Sequence, residues 1–219
     1  MPSVAIVGAS RGIGREFVRQ YLADGWQVHA SARGDADLAD LGAAGATAYK
    51  AEVTDEASLA AMASAIGAPL DLLIVNAGVG SRESRLDKID AANWTRVMTV
   101  NALGPLLVAR ALGPRVRDGG TIAALTSLMG SIADNGGGGA WSYRMSKAAL
   151  NMGWSCLGIE LRPRDVKVGV LHPGWVKTDM GGDQAPLTRE ESVSGLRSVI
   201  AALTSTGGFF DYSGKVLPW

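Results

Sequence analysis

Residues 4–17 read VAIVGASRGIGREF, and their order decides the fold. VAIVG is a short apolar run ending in glycine, the pattern of a buried strand. From Gly12 to about Ala23 the chain takes up helical periodicity, so Gly8, Gly12 and Gly14 fall at a strand-to-helix junction. Glycines there let the backbone turn tightly and come close to an anion, while the free N–H groups and dipole of the helix face its charge. The spacing is GxxxGxG rather than the GxGxxG of many dinucleotide-binding turns, with Ser10, Arg11 and Ile13 completing the loop.

Outward from this junction, short apolar runs keep alternating with helical segments. WQVHASA (26–32), ATAYKAEV (46–53), DLLIVNAG (71–78), GTIAALTS (120–127) and VKVGVLHPG (166–174) read as strands. Residues 35–43, ASLAAMASAIG, 87–112 and 143–161 read as helices, the third with a kink expected at Gly104-Pro105. Continuous apolar strands between helices imply a parallel sheet covered on both faces, wound by right-handed crossovers. Nothing resembling a linker, repeat or charge block divides residues 1–219, so one α/β domain is expected.

Composition excludes several classes of function. With 47% hydrophobic and 19% charged residues the chain is an ordinary globular one. Its 21 basic and 21 acidic side chains cancel, giving no electrostatic grip on nucleic acid or an anionic membrane. No basic start precedes a long apolar run, and no segment is expected to reach the roughly 20 apolar residues of a membrane span. The single cysteine, Cys156, lies in the apolar helical pattern WSCLGIEL and is expected to be a buried structural thiol. One cysteine cannot form an intrachain disulfide, so a cytoplasmic, reducing compartment is expected. His29 and His172 stand alone, and no metal site is apparent.

Further motifs line up with the glycine turn. VNAG ends the 71–78 strand with Asn76, Ala77 and Gly78; Asn101 falls in the long helical stretch; and Ser127 closes LTS. Tyr143 and Lys147 stand four apart in YRMSK, and HPGWVKTDM follows at 172–180. In this order and over nearly the whole chain, the set resembles the short-chain dehydrogenase/reductase family, in particular its compact C-factor-like and carbonyl-reductase-like members. The resemblance implies a Rossmann-like doubly wound parallel sheet of about seven strands.

On a helix, Tyr143 and Lys147 project from one face. A phenol with a pKa of about 10 is a poor base at neutral pH, and a nearby ammonium lowers that value. An isolated YxxxK would be a half-buried tyrosine beside a solvated lysine. The resemblance makes Ser127, Tyr143 and Lys147 the catalytic set, with Asn101 supporting a water that links Lys147 to solvent. Ser127 is favoured over the neighbouring hydroxyls Thr126 and Ser131 by T-S-x-x-G, although serine at a strand end is commonly structural.

Cofactor contacts follow from the same pattern: Gly8, Ser10, Arg11, Gly12, Ile13 and Gly14 in the turn; Asn76, Ala77 and Gly78; Tyr143 and Lys147; and Pro173, Gly174, Val176 and Thr178 after the sixth strand. Glu52 stands before Val53 where the family usually has aspartate against adenine, and an exposed glutamate is the competing reading. Arg33, at the end of the second strand, and Arg11 favour NADP(H) over NAD(H), because a 2′-phosphate calls for arginine. Asp35 and Asp37 would argue for NAD if the register slipped. Leu128, Met129, Ala133, Trp141 and Trp175 are candidates for facing substrate or for packing in the core. The expected activity is reversible hydride transfer with a small carbonyl or alcohol. The alternative is a dinucleotide-binding redox sensor or signalling protein with little turnover. Helices 87–112 and 143–161 are apolar enough to pair with copies of themselves, giving a homodimer or homotetramer.

Overall fold

A computed structural model describes residues Met1–Trp219. Strands β1 (Ser3–Val7), β2 (Gln27–Ala32), β3 (Thr47–Lys50), β4 (Leu70–Val75), β5 (Val116–Leu125), β6 (Lys167–His172) and β7 (Gly208–Asp211) form one sheet. It has seven strands in the order β3-β2-β1-β4-β5-β6-β7, and every neighbouring pair is parallel. The helices are α1 (Gly12–Ala23), α2 (Asp35–Ala43), α3 (Glu56–Ala65), α4 (Ala91–Met98), α5 (Gly104–Leu112), α6 (Trp141–Glu160) and α7 (Arg189–Ala201).

Alternate residues of each central strand feed different cores, which is why the strands are apolar throughout. Ala5, Val7, Leu73, Val75, Ile122 and Ala124 pack with Leu59 of α3, Leu107 of α5 and Trp154 of α6. Val4, Ile6, Leu72, Ile74 and Ala123 pack with Phe17 of α1, Leu41 of α2 and Leu196 of α7. Strand order reverses between β1 and β4, the switch point at which doubly wound sheets take their ligands, and Gly8 and Asn76 follow the ends of these two strands.

Four expectations are corrected. The helix expected over 87–112 is broken into a 3₁₀ turn (Leu86–Lys88), α4, a π-helical turn (Thr99–Leu103) and α5. Pro105 has no N–H to give the carbonyl of Asn101, and the N–H of Gly104 bonds Thr99 instead. The helical run Ala91–Arg115 is, contrary to expectation, long and apolar enough to cross a membrane by length and composition. In this fold Val97, Val108 and Leu112 along it are wholly buried. Cys156 is exposed rather than buried, because α6 turns Trp154 and Gly158 inward and leaves position 156 on its outer face. Strand β3 stops at Lys50, so Glu52 and Val53 lie in the turn beyond it.

Two elements were missed. Helix α7 begins at a capping box in which Thr188 and Glu191 satisfy each other's backbone N–H groups. Strand β7 completes the sheet beside β6.

Candidate active site

The turn after β1 is built by close approach. Gly8 has φ +90°, and a Cβ there would stand 2.7 Å from the backbone of Ala77. A Cβ at Gly14 would meet the carbonyl oxygen of Gly8 at 2.1 Å, so α1 can press against the turn only with glycine at that position. Asn76 braces the turn by donating from Nδ2 to the Gly8 carbonyl at 2.6 Å, while the Gly8 N–H donates to Ser31 Oγ at 3.1 Å. Arg11, the N-cap of α1, makes no side-chain cap, and no acidic residue lies in the first turn. The leading N–H groups of α1, with Ser10 and Ile13 beside them, therefore suit an anion such as a pyrophosphate.

The turn after β6 closes over this end of the sheet. Thr178 Oγ1 accepts from the Gly181 N–H at 3.1 Å, and its Cγ2 lies 3.5 Å from where a Gly12 Cβ would stand. Arg11 pairs with Asp179 at 2.9 Å across the same gap. Pro173 accepts from Ser192 Oγ at 2.7 Å, Gly174 takes φ +81° under Leu187 and Tyr212, and Val176 is buried. Trp175 is 55% exposed and pins the strap by donating from its indole to the Gly181 carbonyl.

At the end of β5 three hydroxyls compete, and the structure separates them. Thr126 donates to Asn151 Oδ1 at 2.7 Å and Ser131 to the Trp219 carbonyl at 3.0 Å, so both are engaged in holding the fold. Ser127 starts a short 3₁₀ turn, accepts from the Met129 N–H at 3.2 Å, and is the hydroxyl of the three that lies beside the Tyr143 phenol. Burial pushes the Tyr143 phenol up, and the Ser127 contact recovers only part of that rise. The expected lowering by Lys147 is therefore not met in the chain alone, where desolvation dominates.

Lys147 lies on α6 with its Nζ 5.8 Å from the centre of the Tyr143 ring. It is buried, donates to the Leu125 carbonyl at 2.9 Å, and has its pKa pulled down to about 8 by desolvation. Asn101 and Lys147 border Gly78 together: a Cβ there would stand 3.3 Å from Asn101 Oδ1 and 3.6 Å from Lys147 Nζ. The wholly buried amide of Asn101 both accepts from and donates to the Val79 backbone at 2.8 Å, and donates to Ser146 Oγ at 3.0 Å. The π-helical turn thus carries a side chain that locks the loop after β4 to α6.

Two site-side groups escaped the sequence reading. Glu83 Oε1 accepts from Ser81, Asn93 and Ser142, the last one residue before Tyr143. Desolvation pushes its carboxyl up, but the hydrogen bonds from Ser81 and Ser142 outweigh it and hold the value at about 2. His172, at the end of β6, is held neutral by burial, with its pKa down at about 4 and its buried Nδ1 without a partner. Glu83 stands in no local motif, because Asn93 and Ser142 lie on other elements, and His172, at the start of HPGWVKTDM, gives no local sign of its burial. Arg144 of YRMSK ties the loop above the site by donating to the carbonyls of Gly138 and Met129. Of the candidate substrate-facing residues, Leu128 and Met129 are half-buried, and Ala133, Trp141 and Trp175 are exposed.

The rim beyond β2 and β3 holds charges in matched pairs. Arg33, just beyond β2, pairs with Glu52 at 3.1 Å, and Lys50 pairs with Asp35 at 2.8 Å. Val53 turns its side chain into the core against Gly104, leaving only its backbone for a ligand.

A family model for short chain dehydrogenase matches residues 2–187. C-signal from Myxococcus xanthus is 48% identical over 69% of this chain and 93% of its own length. The 1-hydroxy-2-glutathionyl-2-methyl-3-butene dehydrogenase of Rhodococcus sp. (strain AD45) is 36% identical with full coverage of both chains. Among solved structures, NADPH-bound carbonyl reductase from chicken fatty liver superposes with a TM-score of 0.90 at 36% identity, covering 100% of this chain and 99% of that one. With the glycine turn, the Ser127–Tyr143–Lys147 cluster and these likenesses agreeing, the chain belongs to the short-chain dehydrogenase family and is an NAD(P)-dependent oxidoreductase.

Proposed function

We propose that the protein reduces small carbonyl compounds, and oxidises the corresponding alcohols, with NADP(H) preferred over NAD(H). The observation that carries this reading is the convergence of Ser127, Tyr143 and a buried Lys147 beside the uncapped glycine turn. A bound nicotinamide supplies or takes up the hydride. Tyr143 holds the transferable proton on its phenolic oxygen, and its raised pKa keeps that oxygen protonated at neutral pH, as reduction requires. Ser127 orients the substrate oxygen and the phenol together. Lys147 is charged below about pH 8, so it offsets the negative charge left on Tyr143 and holds the cofactor ribose. The Asn101 carbonyl, to which Pro105 gives no N–H, is suited to hold a water between Lys147 and solvent.

NADP(H) preference rests on Arg33 at the end of β2 and is supported by the chicken enzyme's having been solved with NADPH. The exposed loop above the site, Ala133 and Trp141 included, suits aldehydes, ketones and quinones of varied shape. A second copy of the chain is the natural cover for Leu103, Leu106, Met145, Met152 and Ile159, all large apolar side chains exposed on the α5–α6 face. A sensor without turnover would have no use for a lysine buried at such cost beside a phenol. Cofactor consumption should be measured against a panel of aldehydes, ketones and quinones with NADPH and with NADH. Turnover with NADPH on at least one class supports the reading, and tight cofactor binding with no turnover on any class rejects it.

A further inference from the structure

Glu52 is the residue through which this chain departs from its family's usual aspartate, and the structure shows where the extra methylene goes. The Glu52 backbone is fixed: its N–H donates to Ser58 Oγ at 3.1 Å, and its carbonyl accepts from the Asp55 N–H at 3.0 Å. From that anchored backbone the carboxylate, 33% exposed, reaches Arg33 Nη1 at 3.1 Å. Arg33 itself is 76% exposed and has no other hydrogen bond or ion pair. The neighbouring cation offers no substitute, since Lys50 is engaged by Asp35 at 2.8 Å. Arg11 lies at the other end of the turn and is engaged by Asp179.

We propose that Glu52 is a specificity-determining residue that restrains the chain's selectivity for a 2′-phosphate by holding Arg33. This rests on the reading that Arg33 is the residue facing that phosphate. A carboxylate 3.1 Å from the guanidinium cancels much of its field and occupies one face of its donor fork. An incoming phosphate must share or displace that partner and approach a second anion while doing so. A ribose with a free 2′-hydroxyl meets no such repulsion and finds an acceptor in the same carboxylate. The consequence is a site whose preference for the phosphorylated cofactor is smaller than Arg33 alone would give, and whose tolerance of the unphosphorylated one is greater. An aspartate, one methylene shorter on the same fixed backbone, loses this reach.

The test uses 2′,5′-ADP and 5′-AMP as probes, titrated calorimetrically into wild type, Glu52→Gln, Glu52→Asp, Arg33→Ala and the Arg33→Ala/Glu52→Gln double variant at low ionic strength. Both Glu52 variants should bind 2′,5′-ADP about threefold to fivefold more tightly, the size of effect an exposed ion pair carries, with 5′-AMP unchanged or weaker. The gain should shrink as salt is added and vanish in the Arg33→Ala background. If Arg33→Ala selectively weakens 2′,5′-ADP but Glu52→Gln leaves it unchanged or weakens it, the role assigned to Glu52 is wrong. If Arg33→Ala leaves the ratio of the two probes unchanged, the reading of Arg33 fails first and the role of Glu52 falls with it.

Discussion

Lys147 pays in stability for its place beside Tyr143. A lysine whose pKa falls from 10.5 to about 8 on folding binds fewer protons in the native than in the unfolded state between those values. Stability therefore rises with pH across that window, and the penalty is complete below about pH 8. At 1.36 kcal/mol per unit it amounts to about 3 kcal/mol. Lys147→Met, which keeps the apolar stem, should raise unfolding free energy at pH 7 by an amount of that order, flatten the rise between pH 8 and 10.5, and remove turnover. Denaturant melts at several pH values measure this, and a variant less stable than wild type at pH 7 would show that the buried charge is well compensated. Tyr143 and Lys147 were legible from their spacing together with the glycine turn. The direction of the Tyr143 shift was not, because desolvation depends on what α6 is packed against. Ser127 was favoured over Thr126 and Ser131 by T-S-x-x-G, but what engages the other two was not legible, because Asn151 and Trp219 lie far along the chain.

At the scale of elements, strands β1, β2, β4 and β6 were legible because nearly every residue in them is buried and their apolar runs are unbroken, whereas β7, mostly half-buried, was missed. The helices were less so. The break at Thr99–Leu103 follows from Pro105 and from the packing of Gly104 on Val53, and only the proline is visible locally. Helix α7 is mostly polar on its outer face, so its periodicity is faint, yet T-x-x-E at 188–191 marks its start. That capping box matters for the site, since α7 supplies Ser192, which anchors Pro173 of the strap. Thr188→Ala removes the acceptor for the Glu191 N–H and should cost about 1 kcal/mol, measurable by thermal or chemical melts. An unchanged stability would mean that tertiary packing alone fixes the start of α7. Cys156 was misjudged because an apolar neighbourhood in sequence does not say which face of α6 is turned inward.

For the whole molecule, the reversal of strand order at β1 and β4 places the glycine turn, the Asn76–Gly78 loop and the end of β5 on one rim, while helices α5 and α6 lie on one face with apolar side chains exposed. Met145, Met152, Cys156 and Ile159 recur on one stripe of α6, and a Cβ at Gly153 would stand 3.0 Å from Leu106, so the two helices already pack closely. Association of two chains through this face predicts a dimer or tetramer in sedimentation velocity, with Met152→Glu shifted toward monomer. A monomeric wild-type protein at micromolar concentration would contradict it. The central claim, that Tyr143 is the proton donor of a carbonyl reduction, is tested most directly by Tyr143→Phe, which removes one oxygen and keeps the ring packing. Steady-state reduction by NADPH and cofactor affinity should be measured on the same preparation. A loss in kcat of about 10²-fold to 10⁴-fold is expected, with NADPH affinity within about twofold of wild type; turnover retained at the wild-type level would contradict the role of Tyr143.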